Sequence, residues 1–192
     1  VCSSDLDYIP ELFALLDRDF PALDRVVFSV AHGTVANQEA MAFDWDKYFA
    51  LCRDFRRTAR VRDVRDWHSL FTIALRIVKN DFLKEILLRR DMYRHCRAGR
   101  SVVVINETGR VFPCEPLWQP VGDLRQNGYD VQQVLRSPEM QAFQRQIRDQ
   151  PCTCHWGLPM SNTLMFSPRY YPRIAAEMIR LAARSRRGRG GR

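Results

Sequence analysis

Four of the six cysteines of this 192-residue chain fall between positions 96 and 154, beside residues that force the backbone to turn. Cys96 precedes a segment predicted to form a β-hairpin, and Cys114 follows it. Cys152 and Cys154 are separated by one residue, and an extended chain points two such side chains the same way. We therefore expect the four thiols to meet in space around one metal centre.

The hairpin prediction depends on a β-branched segment, a turn and a short return segment. Residues 101–105 read Ser-Val-Val-Val-Ile, which is typical of a strand. Residues 107–109 end in a glycine that can adopt positive φ, and residues 110–112 then form the return strand. Since a hairpin brings its two open ends together, Cys96 and Cys114 are predicted to be neighbours.

The type of side chain limits the choice of metal. Thiolates select zinc, copper(I) or iron–sulfur clusters. A zinc site with four cysteines is usually built from Cys-x-x-Cys pairs, and this chain contains none. A cluster offers a separate iron to each thiolate, so its ligand spacing varies more widely. The spacing favours iron–sulfur, and the alternative is four buried thiols that bind nothing and behave as small hydrophobic side chains.

Several short motifs in this region resemble those of the SPASM and twitch domains of radical SAM enzymes. The resemblance covers about residues 82–176. Its first element is Cys96, twelve residues, Gly109, four residues and Cys114. The other matching elements are Ala98-Gly99, Val111-x-Pro113-Cys114-Glu115, Gly122-Asp-Leu-Arg125, Ser137-Pro138 before a helix, Cys152-x-Cys154 and Asn162-x-Leu164-x-Phe166-x-Pro168.

The resemblance implies an auxiliary 4Fe–4S cluster bound through cysteines, with Cys96, Cys114, Cys152 and Cys154 as its ligands. Many relatives carry a further cysteine just after the Cys-x-Cys pair, whereas this chain has His155 and no thiol there. A single-cluster, twitch-like domain fits this set better than a two-cluster one. The ligand of the fourth iron stays open, since one cysteine of the pair need not bind. His155 is then either the substitute ligand or, as is commoner for a lone histidine near a site, a residue that supports the site or lies on the surface.

The resemblance also implies a longer parent enzyme. Radical SAM enzymes hold a catalytic 4Fe–4S cluster through Cys-x-x-x-Cys-x-x-Cys, and this chain contains no such motif. The parent would use S-adenosylmethionine to generate a radical that modifies a peptide, protein or small-molecule substrate, with an electron donor as a further partner. This segment alone is expected to be inactive, and no catalytic residue is assigned in it.

The expected fold class is α/β. Residues 25–30 form an apolar strand typical of a parallel sheet, followed by a loop in which His32 is either an ordinary loop residue or a substrate contact. We predict the last strand–helix units of a partial (β/α) barrel, and then a small α+β domain with a β-hairpin and helices.

The predicted ranges are 7–92 for the barrel part, 93–171 for the iron–sulfur domain, 172–183 for a C-terminal helix and 184–192 for a disordered Arg/Gly tail. Residues 1–6 match the translation of a common sequencing adapter and are predicted to be an assembly remnant.

Helical periodicity predicts the remaining elements. Helices are expected at 7–18, at 43–60 and at 69–90, the last with a candidate break at Asn80-Asp81. In the second of these, Asp44 is the predicted N-cap and Cys52 a core residue. Further predictions are a helical turn at 131–135, a helix from Pro138 to about 148 capped by Ser137, and a short strand at 161–166.

Composition excludes some classes of partner. The net charge is +8, and five arginines of the predicted tail account for five charges, so the rest carries 8 − 5 = +3 and is no strongly basic nucleic-acid surface. No apolar segment approaches the length that crosses a membrane. Scattered cysteines with ligand-like spacing indicate a reducing, cytoplasmic compartment. The alternative function is a zinc-binding interaction module whose basic tail contacts nucleic acid.

Overall fold

The structure is a computed structural model. The residues that it describes are 3–20, 23, 30, 43–61, 63–89, 96–149 and 154–187.

The chain divides into two compact units. The first comprises Val1–Ala31, Val35–Lys84 and Ser167–Arg192, and the second comprises His32–Thr34 and Glu85–Phe166.

The described residues form seven α-helices, three short strands and three 3₁₀ segments. The helices are α1 (Ile9–Asp19), α2 (Trp45–Thr58), α3 (Trp67–Arg89), α4 (Val131–Leu135), α5 (Pro138–Asp149), α6 (Gly157–Met165) and α7 (Tyr171–Arg187). The strands are β1 (Val104–Ile105), β2 (Arg110–Phe112) and β3 (Gly122–Asp123), and the 3₁₀ segments are Ser3–Asp7, Leu124–Gln126 and Pro168–Tyr170.

Helix α3 supplies much of the core of the first unit. Ala74, Val78 and Phe82 are at most 1% exposed, and buried residues occur on several sides of the helix. A helix that is apolar nearly all round is a buried helix. The helix predicted at 69–90 is confirmed, but the break at Asn80-Asp81 is wrong. Packing of the apolar neighbours overrides the weak helix propensity of those two residues.

Helix α2 begins and packs as its sequence predicts. The Asp44 carboxylate accepts a hydrogen bond from the Lys47 backbone N–H at 2.9 Å, which confirms the N-cap. Tyr48 and Cys52 are buried, so Cys52 is a core residue. Helix α1 begins with Pro10 in its first turn, as expected.

Helix α7 extends four residues beyond the predicted end at 183 and into the segment predicted to be disordered. Arg184 donates hydrogen bonds to the carbonyl oxygens of Arg56 (2.7 Å) and Ala59 (3.1 Å). The buried hydroxyl of Ser185 accepts from the Val61 N–H at 3.0 Å. These bonds satisfy backbone groups at and just beyond the C-terminal end of α2. Residues 188–192 lie outside the described residues.

The predicted barrel strand falls almost entirely outside the described residues, which include only Val30 of residues 25–30. His32 also lies outside them. The described residues are mostly helical and include a small antiparallel sheet, which agrees with the predicted α+β domain that has a β-hairpin and helices. The partial barrel stays a prediction. None of the described helices combines the length and apolar character needed to cross a bilayer.

The second unit contains the sheet, in the order β1-β2-β3 with antiparallel neighbours. The hairpin of β1 and β2 is confirmed, although β1 is shorter than the predicted 101–105. Val111 on the central strand is fully buried. Strand β3 was not expected, because residues 115–128 have the composition of a loop.

In the second unit, the structure confirms one predicted helix and replaces a predicted strand with another helix. Helix α5 is confirmed, since the Ser137 hydroxyl accepts from the Met140 N–H at 3.1 Å and Pro138 opens the helix. The strand predicted at 161–166 is wrong, because α6 covers most of this segment. Its buried residues are spaced as on one side of a helix, and a proline is tolerated in a first turn. They are Pro159, Met160, Thr163 and Leu164.

Candidate metal centre

The β1–β2 hairpin determines where Cys114 lies. The Asn106 side-chain oxygen accepts from the N–H groups of Thr108 (3.2 Å) and Arg110 (2.9 Å), and Gly109 has φ +79°. This turn sets the register in which Val104 faces Phe112. Cys114 follows two residues later, 7% exposed, within an apolar cluster that includes Val111.

Cys96 packs against the same apolar cluster. A compact turn joins it to β1, in which Ala98 bridges to Val102 and the Gly99 N–H donates to the Val102 carbonyl at 2.9 Å. Gly99 has φ +71°, and a Cβ there would lie 2.7 Å from the Met140 sulfur. Only glycine therefore fits this turn without displacing the core.

Cys96 and Cys154 share one local geometry. The Cys96 sulfur accepts a hydrogen bond from the Ala98 N–H, and the Cys154 sulfur accepts one from the Trp156 N–H, each at 3.4 Å. In both cases the donor lies two residues after the cysteine. Hydrogen bonds to the charged form of a group favour that form, here the thiolate. Such bonds also tune the reduction potential of thiolate-bound clusters.

Cys154 also lies close to the beginning of α6. Trp156 is the N-cap residue, is 6% exposed, and its side chain makes no capping hydrogen bond. The N-terminus of a helix carries partial positive charge, which stabilises a nearby thiolate. The position of Cys154 therefore suits a metal-binding sulfur.

Phe166, the C-cap residue of α6, contacts Arg97, the residue after Cys96. Arg97 donates to the Phe166 carbonyl at 3.3 Å, and its guanidinium lies 5.5 Å from the centre of the Phe166 ring. Cys154 precedes the opposite end of this nine-residue helix, which is about 13 Å long at 1.5 Å per residue.

The structure describes three of the four predicted ligands. Cys152 lies outside the described residues. Within the described part of the chain, no three His, Cys, Asp or Glu side chains form a group that could hold a metal ion. No disulfide bond links Cys52, Cys96, Cys114 and Cys154, the four described cysteines, to one another. The four-cysteine ligand set therefore stays a prediction.

Cys52 differs from these cysteines in its surroundings. It is buried in the first unit on α2. Burial raises the pKa of the Cys52 thiol to about 12, although a hydrogen bond with Tyr48 opposes this. A thiol held neutral in this way is a poor metal ligand. This agrees with its interpretation as a core residue.

Sequence reasoning missed Trp118. Its backbone has φ +44°, which is rare for a bulky side chain. The Trp118 N–H donates to the carbonyl oxygens of Cys114 (3.2 Å) and Glu115 (3.0 Å), so it closes a turn directly after Cys114. No motif in the sequence indicates this conformation.

A comparison with protein families agrees with this picture of the second unit. Residues 96–155 match the family model described as SPASM, an iron–sulfur cluster-binding domain. The match begins at Cys96 and ends one residue after Cys154, so it contains all four predicted ligands. It confirms the resemblance to a SPASM domain. No curated protein and no solved structure matches the chain significantly.

Proposed function

Taking residues 96–155 as a SPASM iron–sulfur cluster-binding domain, we propose that the chain binds one auxiliary 4Fe–4S cluster within a radical SAM enzyme. Cys96, Cys114, Cys152 and Cys154 are the proposed ligands. The observation that carries the proposal is the family match, which spans the four cysteines.

The described ligands have chemistry that suits such a cluster. Cysteine sulfur is the ligand of iron–sulfur clusters, and two of these sulfurs accept backbone hydrogen bonds that favour the thiolate. Cys114 is supplied by the end of a hairpin whose core residue Val111 is fully buried. A cluster bound there would supply electron transfer or a Lewis-acidic iron.

The chain's own residues would position and shield the group. The N–H groups of Ala98 and Trp156 orient the sulfurs of Cys96 and Cys154. Cys114 is only 7% exposed, which limits the access of water to its sulfur. Limited access of water raises the energetic weight of each hydrogen bond to sulfur.

The remainder of the proposal concerns the parent enzyme. It would use S-adenosylmethionine and a second 4Fe–4S cluster to generate a radical, receive electrons from a donor, and modify a peptide, protein or small molecule. The proposed location is cytoplasmic, because scattered cysteines with ligand-like spacing are typical of a reducing compartment.

The experiment is anaerobic reconstitution with iron and sulfide, followed by metal and sulfide analysis of the full chain. We expect brown protein with about four irons per chain. Cys114→Ser should lose most of the iron, whereas Cys52→Ser should keep it. A colourless protein with stoichiometric zinc would contradict the proposal, as would equal iron content in the two variants.

A further inference from the structure

A cavity of about 220 Å³ lies between α2 and α3 in the first unit. Each helix contributes residues at the spacing that places side chains on one face, so the cavity follows the seam between the two helices. The polar and aromatic residues that line it are Phe49, Arg53, Arg56, Asn80, Asp81 and Lys84.

The polarity of this seam is unusual for two packed helices. Asn80 is only 6% exposed and lies in the middle of α3, where asparagine and aspartate are weak helix formers. Burying polar side chains costs free energy unless they gain partners. Asn80 and Asp81 are the pair that the sequence predicted as a break. Both lie within the intact helix α3, and both line the cavity.

The lining carries excess positive charge. Asp81 is balanced by Arg56 at 3.3 Å and by Arg173 at 3.8 Å. Arg56 also pairs with the buried Glu177, which in turn pairs with Arg180. The network contains three arginines and two carboxylates, so both carboxylates are paired with arginine.

Arg53 and Lys84 are different. Both are exposed, and among the described residues neither has a carboxylate within ion-pair distance. The Lys84 ammonium lies 5.8 Å from the centre of the Phe49 ring, which holds the charge at the cavity.

We propose that this cavity binds a small organic dianion, such as a short dicarboxylate. Three lining side chains are positive and one is negative, an excess of two charges that a dianion would neutralise. Carboxylates would accept hydrogen bonds from Arg53, Lys84 and the Asn80 amide. The apolar surfaces of Phe49 and Ile77 favour a carbon chain over an inorganic anion. This site is independent of the proposed metal centre.

The test is isothermal titration of the full chain, without metal, with succinate and with its neutral analogue succinamide at low salt. We expect succinate to bind about tenfold or more tightly than succinamide, because hydrogen bonds to charged groups are the stronger ones. Added sodium chloride should weaken succinate binding.

Matched variants test the assignment of the site. The double variant Arg53→Gln/Lys84→Gln should lose succinate affinity by about tenfold or more. Arg57→Gln removes another exposed cation of α2, one that pairs with Asp54 and does not line the cavity, and this variant should bind succinate like the unmodified chain. Equal melting temperatures would show that all three proteins are folded.

Three results would overturn the proposal. They are no succinate binding by the unmodified chain, equal binding of succinate and succinamide, and unchanged affinity in the double variant. Tighter binding of inorganic phosphate than of succinate would overturn the assignment of a carbon-based ligand.

Discussion

The indole of Trp118 stacks on the ring of Phe112, with ring centroids 4.2 Å apart and planes inclined by 13°. Phe112 ends β2 and is 2% exposed, while Trp118 is half exposed. Cys114 lies between them in the chain. The stack and the hydrogen bonds of the Trp118 N–H therefore close the turn that presents a proposed cluster ligand.

The positive φ of Trp118 makes glycine and alanine substitutions there distinguishable. Both Trp118→Gly and Trp118→Ala lose the aromatic stack. Such a stack stabilises the folded protein by about 1 kcal/mol in addition to the burial of apolar surface. Glycine alone relieves the left-handed backbone, so Trp118→Gly should be at least as stable as Trp118→Ala. Urea unfolding of the metal-free protein measures this order.

Ile179 provides the control, because it lies within α7 and is 70% exposed. At this position the alanine variant should be more stable than the glycine variant by about 1 kcal/mol of unfolding free energy, which is the normal order inside a helix. A clear advantage of alanine over glycine at position 118 would show that the backbone is not held in this conformation.

Alanine substitutions at Gly99 and Gly128 distinguish the cost of backbone strain from the cost of steric overlap. Both have positive φ, +71° and +67°, but a Cβ at position 128 would meet nothing within 4 Å. Gly128→Ala should cost about 1 kcal/mol of unfolding free energy. Gly99→Ala should cost about 2–3 kcal/mol, since its methyl group also collides with Met140. Urea denaturation compares the two, and equal losses would refute the close packing of Gly99 against Met140.

Arg184 should matter for stability although it lies in the segment first predicted to be disordered. Arg184→Ala removes two hydrogen bonds to backbone carbonyls, and we expect a loss of about 1–2 kcal/mol. Arg186→Ala, at an exposed position of the same helix, should change stability by less than about 0.5 kcal/mol. Thermal unfolding gives the comparison. Identical melting temperatures for the two variants would contradict the docking of α7 through Arg184.

The buried Cys52 thiol predicts a loss of stability at alkaline pH. Burial raises its pKa from the ordinary value of 9.0 to about 12 in the folded state. Between these values the unfolded chain releases a proton that the folded chain retains, so the unfolding free energy falls as pH rises. The stabilisation is complete below pH 9 and is lost progressively towards pH 12.

Cys52→Ala should therefore show a shallower decline in stability between pH 9 and 11 than the unmodified chain. Urea unfolding at several pH values measures the two slopes. Parallel slopes would mean that the Cys52 thiol titrates normally in the folded protein.

Elements with local determinants were predictable from the sequence. Helix α5 depends on Ser137 and Pro138, and α2 on Asp44, each of which acts within one helical turn. Strand β3 was not predictable, because Gly122 and Asp123 become a strand only by pairing with β2. A segment's own propensity does not report such pairing.

The candidate site was predictable to a similar degree. Spacing and resemblance are enough to propose Cys96, Cys114, Cys152 and Cys154 as one ligand set. The backbone hydrogen bonds to the sulfurs of Cys96 and Cys154 depend on turns that the cysteine spacing does not determine. The cavity between α2 and α3 was not predicted, because two of the polar residues that line it, Asn80 and Asp81, were interpreted as a helix break.

Native mass spectrometry of the anaerobically reconstituted chain tests the central claim most directly, because it weighs the bound group. We predict one species heavier than the metal-free chain by a single 4Fe–4S cluster, absent when the four cysteines at 96, 114, 152 and 154 are replaced by serine. A chain that carries one zinc ion or no added mass, or a four-serine variant that retains the cluster, would contradict the account.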